Sequence, residues 1–370
     1  MHSYKLLGDY MKRVLLFFLL FIMFIPKINA SLNSASSYVL MDEETGRVLL
    51  SKNMNNKSLI ASITKIMTAV IAIESNKLDE IITVDESVLK AYGSGIYIQV
   101  GEEMSLRDML YGLMLRSGND AAVMIATYVA GSEESFVKLM NDKAKEIGMK
   151  NTTFVNSSGL DNTDSGNLST SYDMALLTRY AMKYDEYKKI VKTKQYTVKT
   201  NYKTYVWHNK NKLLNYDYIT GGKTGYTEKA GRTLVSTATV DNMNLIVVTI
   251  RDSDDWNTHL SLYDYAKDTY TSYKVLNKDN FAVIGDDYYN NNLYIKEDLY
   301  IPLKNNETGY LISKIKLEKL KEYKEGDKVG NIYIYINDEL LATKDIYVSK
   351  DIEKNKKSFW QKIWEVIKFW

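Results

Sequence analysis

The chain has 370 residues, 45% hydrophobic and 25% charged, a globular composition long enough for two domains that excludes wholesale disorder. Its formal net charge of +2 sits at the front, where Lys5, Lys12, Arg13 and Lys27 outweigh Asp9; the remainder is at about −1, so no nucleic-acid partner is expected. Cysteine is absent and the histidines are His2, His208 and His259, which excludes disulfides, thiolate metal sites and a zinc centre and weakens a Ser-His-Asp triad.

A basic patch at Lys12 and Arg13, an apolar run over 14–25 and Ile28-Asn29-Ala30 read as a secretory signal peptide spanning 1–30. The run falls short of the ~20 residues a bilayer span needs, so an uncleaved anchor is the minority reading. Apolar segments over 37–50 flank a turn at 42–46 and predict a β-hairpin. Ser62-Ile63-Thr64-Lys65 then opens a helix running to about position 74, followed by a strand at 81–84 and a loop holding Gly93, Gly95 and Gly101. Ser105 caps a helix whose apolar positions Leu106, Met109, Leu110, Leu113 and Met114 follow the 3.6 period. It stops at Ser117-Gly118-Asn119, and a second apolar helix over 121–130 starts at once, so this tripeptide lies on a tight connection. Further helices are expected at 133–147 and 172–183, with a polar loop over 156–171 before the latter.

Beyond Gln195 the pattern turns to β-rich runs at 196–200, 202–207, 233–240 and 244–250, which predict an antiparallel sheet. Lys223-Thr224-Gly225 is placed between such strands, after Gly221-Gly222, where missing side chains admit a ligand's backbone. A helix at 256–269 closes a first domain over 31–273. From Lys274 short strands at 300–303, 310–317 and 332–336 indicate a small all-β domain over 274–350, which spaces or orients the first. In the tail, 351–370, Phe359, Trp360, Ile363, Trp364, Ile367 and Trp370 share one helical face behind Lys354, Lys356 and Lys357. That pattern predicts an amphipathic helix in a membrane interface, with packing on the β-domain as the alternative.

The chemistry centres on Ser62 and Lys65. Serine and lysine three apart share a helical face, and at a helix start the hydroxyl lies beside the amine and the free first-turn N–H groups. Burial disfavours the charged amine, so it can take the serine proton near neutral pH. The same spacing recurs at Ser87 and Lys90, Ser135 and Lys138, and Ser313 and Lys316. What distinguishes Ser62 is the ordered sequel of Ser117-Gly118-Asn119 and the chain's one Lys-Thr-Gly. Another Ser-Gly-Asn, at 165–167, sits in loop composition.

From about Val39 to Lys350 the chain resembles the D-alanyl-D-alanine carboxypeptidases, low-molecular-weight penicillin-binding proteins. Beyond the three motifs the likeness includes Leu40-Met41-Asp42, Asn119-Asp120-Ala121-Ala122, Gly159-Leu160-Asp161, Ser169-Thr170 and Gly225-Tyr226-Thr227. One departure is Asn167, where relatives often carry histidine. The resemblance implies an α+β, β-lactamase/transpeptidase-like catalytic domain with an antiparallel sheet and helical subdomain, plus the C-terminal all-β domain. It implies an exported enzyme at the outer face of the cytoplasmic membrane or in the cell wall, acting on peptidoglycan stem peptides ending in D-Ala-D-Ala, acylated by β-lactams and needing no cofactor.

Carried over, Ser62 is the nucleophile and Lys65 its base, while Ser117 passes the proton to the leaving amine. Asn119 holds the substrate amide, Lys223 and Thr224 bind the terminal carboxylate beside Gly225, and the N–H groups of Ser62 and Tyr226 are candidate oxyanion donors. Two alternatives are a β-lactamase, which needs a glutamate that 151–178 lacks, and a catalytically silent peptidoglycan-binding protein, which the intact Ser62 and Lys65 disfavour.

Overall fold

The computed structural model describes residues 34–350 apart from 162–165, 287 and 321; the expected signal peptide and the amphipathic tail lie outside the described residues. Five antiparallel strands make the central sheet. β1 (Ala35–Asp42) and β2 (Val48–Lys52) are the predicted hairpin, and β3 (Ile219–Thr227), β4 (Gly231–Val240) and β5 (Met243–Asp252) follow far along the chain in the order β2-β1-β5-β4-β3. The two parts meet where β1 pairs with β5, Val39 opposite Val248.

Both faces of this sheet are covered, which is why β1 and β5 read as nearly unbroken apolar runs. Val39 and Met41 join one core with α1 (Lys65–Glu74), α2 (Leu106–Tyr111), α3 (Asn119–Ala130), α4 (Glu133–Glu146), α5 (Ser171–Ala181) and α6 (Asp185–Lys192). Tyr38 and Leu40 point the other way, into a core with Leu262, Tyr263 and Ala266 of α7 (Asp255–Thr269). Helix α1 is buried at every position from Lys65 to Ile73, as befits a helix apolar on all sides.

Three expectations are corrected. The α-helix starts at Lys65 and not at Ser62, because Ala61–Thr64 forms a tighter 3-10 turn with Ala61 at φ +49°. Lys223-Thr224-Gly225 lies inside β3, the edge strand, and not between strands; its three glycines hide the strand from propensity. The Gly221-Gly222 pair serves internal packing and not a ligand: a Cβ at Gly221 would lie 2.4 Å from Val191 Cγ2 on α6, and one at Gly222 2.3 Å from Val235 O on β4.

A third apolar core is confined to residues 276–348. It lies on a four-stranded sheet built from Leu293–Tyr294, Leu311–Leu317, Lys328–Ile336 and Glu339–Val348; the first and last of these are not among the expected strands, the last because charges break its alternation. Arg47 clamps this part to the first with a two-pronged pair to Glu307, at 2.5 and 3.0 Å, and a bond to Pro302 O at 2.8 Å. Lys344 reaches back to Glu44 at 2.6 Å. Both partners of the Arg47 pair are mostly buried, at 14% and 18% exposure, so removing Arg47 leaves Glu307 with the Lys304 N–H at 2.8 Å in place of a counter-ion's fork. Arg47→Ala is expected to cost about 1–3 kcal/mol, seen as a lower urea midpoint for the C-terminal part. An unchanged midpoint would move the docking energy elsewhere.

Candidate active site

Three stretches far apart in sequence converge on one buried amine. Lys65 is 0% exposed, and its Nζ lies 3.2 Å from Ser62 Oγ, 2.7 Å from Asn119 Oδ1 and 2.5 Å from the Ser158 carbonyl. A neutral amine offers two N–H donors and one lone pair. The two carbonyl oxygens can accept only N–H, so in that state the lone pair is left for the Ser62 hydroxyl. Burial brings the Lys65 pKa down to about 7, helped by the charge of Lys210 and opposed by Asp120.

Ser117 follows a π-helical turn, Gly112–Arg116, and adopts a left-handed conformation, φ 65° and ψ 39°. Its Oγ accepts a hydrogen bond from Lys223 Nζ at 3.1 Å, and the same amine donates to Thr224 O at 2.7 Å. Lys223 is 1% exposed, and burial, then Lys65 and Lys210, hold its pKa well below the ordinary lysine value. It therefore stands behind the cleft wall, with Thr224 and Ser117 in front. Asn119 spans two walls: Nδ2 donates to Tyr92 O at 2.6 Å while Oδ1 accepts from Lys65. Asp120 accepts from the backbone N–H groups of Ile96 and Tyr97, so the 92–97 loop is stapled to the start of α3.

Two glycines let these parts close up. A Cβ on Gly225 would stand 2.3 Å from Thr233 Oγ1 and 2.9 Å from Ser62 N, so the nucleophile's turn rests directly on β3. Gly159, at φ +84°, faces Ala61 so closely that a Cβ would lie 1.9 Å from its carbonyl oxygen. The loop carrying Gly159 and Ser158 is tied to α1 by Thr68 Oγ1 donating to Ser157 O at 2.6 Å, and to β3 by Thr227 Oγ1 donating to Asp161 at 2.6 Å. Asn167, the departure noted above, is buried; its Nδ2 donates to Thr64 Oγ1 at 2.9 Å and its Oδ1 accepts from Val155 N at 2.7 Å. Ser165 of that rival tripeptide lies outside the described residues.

In front of the amine opens a cleft of about 380 Å³, lined by Ser62, Ser117, Thr224, Gly225 and Tyr226 together with Lys210, Arg232, Asp255 and Trp256. A larger cavity of about 640 Å³, between the Glu43–Thr45 turn and the strand Glu339–Val348, shares no residue with it and holds no serine. The competing Ser-x-x-Lys lysines, Lys90, Lys138 and Lys316, are exposed on a turn, a helix and a strand. His259 is buried between Ser236 and Thr249 on the α7 side, kept neutral by a pKa pushed down to about 3, and is not part of the cleft. Sequence reasoning missed Ser158, whose backbone carbonyl leaves no residue signature. It also missed Lys210 and Arg232, single cations with no pattern around them.

Fold and cleft together define a penicillin-interactive enzyme of the β-lactamase/transpeptidase class. The model of the D-alanyl-D-alanine carboxypeptidase family matches residues 27–254, and that of the penicillin-binding protein 5 C-terminal domain matches residues 270–354. The chain is 32% identical over 347 residues to the D-alanyl-D-alanine carboxypeptidase DacF of Bacillus subtilis, covering 87% of each chain. It is 31% identical to DacC of Escherichia coli, over 90% of this chain and 87% of that one. Among solved structures, penicillin-binding protein 5 of Haemophilus influenzae superposes with a TM-score of 0.68 at 26% identity, over 87% of this chain and 98% of that one. The chain belongs to the D-alanyl-D-alanine carboxypeptidase family. It is a serine-type D-Ala-D-Ala carboxypeptidase, a hydrolase acting on peptidoglycan.

The contact at Gly225 carries a prediction. Gly225→Ala is expected to push the Ser62 turn off β3 and slow acylation by fluorescent penicillin by about 10²-fold, the usual cost of a misplacement near 1 Å. Acylation at the native rate would show that the turn does not depend on this contact.

Proposed function

We propose that Ser62 attacks the carbonyl between the two D-alanines of a stem peptide, with Lys65 as the base that takes its proton. The observation that carries this is the bonding of Lys65, whose N–H groups face Asn119 Oδ1 and Ser158 O and so leave its lone pair for Ser62. The developing oxyanion is held by backbone N–H groups, with those of Ser62 and Tyr226 as candidates; the first lies beside Gly225 on the edge strand. As the tetrahedral intermediate collapses, the C–N bond breaks. Ser117 hands its hydroxyl proton to the departing D-alanine amine, and the proton that Lys65 took from Ser62 replaces it, with Lys223 donating to the Ser117 Oγ, so that Lys65 is neutral again. Water then attacks the acyl-enzyme by the same base, releasing the shortened peptide. Asn119 orients the substrate amide. Thr224 contacts the terminal carboxylate, and the arriving anion favours the protonated form of Lys223 behind it. Each proton transfer has a named side chain, so the scheme uses no metal or cofactor.

On this reading residues 31–273 form the catalytic domain and 274–350 a β-domain that orients it. The protein is exported and works at the outer face of the cytoplasmic membrane, where the tail over 351–370 rests in the lipid interface. Among the described residues no helix is long and apolar enough to cross a membrane.

Ser62→Ala is expected to abolish both penicillin labelling and D-alanine release while the protein stays folded; label on the mutant moves the nucleophile elsewhere. The penicillin acylation rate is expected to rise about tenfold per pH unit up to about 7 and to level off above it, because the base works only once Lys65 has lost its proton. Lys65→Ala flattens this profile and costs about 10²- to 10⁴-fold. A wild-type rate that falls across this range would assign the base to another group. Deleting 358–370 is expected to release the mature protein from membrane pellets with activity on a soluble peptide intact, and continued sedimentation with membranes contradicts the anchor.

A further inference from the structure

The cleft carries cations on both sides of Ser62 along the direction of β3. Thr224 and Ser117, with Lys223 behind them and exposed Lys210 beside them, lie on one side. Gly225 is level with the Ser62 N–H. On the other side, two residues or about 7 Å beyond Thr224, comes Tyr226, 64% exposed, with Arg232 directly opposite it on β4. A peptide with its terminal carboxylate at Thr224 and its scissile carbonyl at Ser62 therefore continues past Tyr226. The residue preceding the D-Ala-D-Ala pair arrives at the level of Arg232.

Arg232 is built into that wall. Its Nη2 donates to Asp255 Oδ1 at 2.7 Å, the same oxygen accepts the Trp256 N–H at 2.9 Å, and the guanidinium carbon lies 5.4 Å from the Trp256 ring centroid. Asp255 is 2% exposed, so the anchor is buried while the arginine side chain stays 41% exposed to the cleft. Among the described residues Nε and Nη1 of Arg232 make no hydrogen bond, and Asp255, already engaged, is the one acid lining the cleft. Nη2 keeps a second hydrogen next to Nε or Nη1, and a planar donor edge held by a buried acid and an aromatic ring is pre-organised for a carboxylate. A cationic side chain at the same place meets like charge from Arg232, Lys210 and Lys212.

We propose that Arg232 is a specificity-determining residue: it binds a side-chain carboxylate on the residue preceding the D-Ala-D-Ala pair, so the preferred stem peptide carries two carboxylates. The inference rests on the Ser62 reading above. The test uses two N-acylated peptides ending in D-Ala-D-Ala, identical except that the preceding residue ends in a carboxylate or in its uncharged amide. The kcat/KM for D-alanine release is measured at low salt for the full chain, Arg232→Gln and Arg232→Lys. The wild type is expected to prefer the acid by about tenfold, mostly through KM, and high salt is expected to shrink the ratio. Arg232→Gln is expected to bring the ratio near one. Arg232→Lys, with the charge but not the fork, keeps part of it. Because both peptides report on the same fold, the ratio stands even where a variant is less stable, and the wild-type ratio decides alone if Arg232→Gln does not fold. Turnover of both peptides at equal efficiency by the wild type, or a full preference retained in Arg232→Gln, overturns this proposal and leaves the Ser62 reading standing. Release from neither peptide overturns both.

Discussion

Placing a lysine amine where no water reaches it is costly unless the amine gives up its charge, and much of the catalytic half is arranged around that constraint. Lys65 begins a helix buried on every side, so its head group cannot turn outward. Its neighbours are a hydroxyl and two carbonyl oxygens, a set that suits a neutral amine and offers no counter-charge within hydrogen-bond distance. Lys210 acts in the same direction by like-charge repulsion, whereas Asp120, the nearby acid, spends its oxygens on the N–H groups of Ile96, Tyr97 and Ala121.

Each wall of that enclosure comes from a different part of the chain, and the sheet brings them together. Pairing of β1 with β5 carries the strands beyond residue 219 back to the hairpin that precedes the nucleophile. As the edge strand, β3 keeps one side unpaired for the Ser62 turn, and Gly225 removes the side chain that would hold them apart. The 156–161 loop closes the opposite side by supplying Ser158 O, and Gly159 is there because only a hydrogen fits against Ala61.

The parts legible in the sequence are those whose signal is local. Ser105 before a 3.6-period apolar run marks α2, and the capping box it forms with Asp108 is present. The motif residues were readable because their spacing carries chemistry. Strand β3 was not, because Gly221, Gly222 and Gly225 serve close packing at the expense of strand propensity. The start of α1 was misplaced by three residues because the 3-10 turn is imposed by contacts with Gly159 and Gly225, more than 90 residues away. Ser158 contributes through a backbone atom, and Arg232 matters only through its place opposite Tyr226, which pairing register alone reveals.

The charge state of Lys65 at neutral pH is the claim on which the mechanism turns, and it can be read directly. Lysine labelled with 13C at Cε, observed by NMR across pH 5 to 11 and assigned with Lys65→Arg, reports that titration on its own. The account predicts a midpoint near 7, against 10.5 for an ordinary lysine. A Lys65 resonance that titrates at the ordinary value would mean that the amine is charged when substrate arrives, and that the proton of Ser62 goes elsewhere.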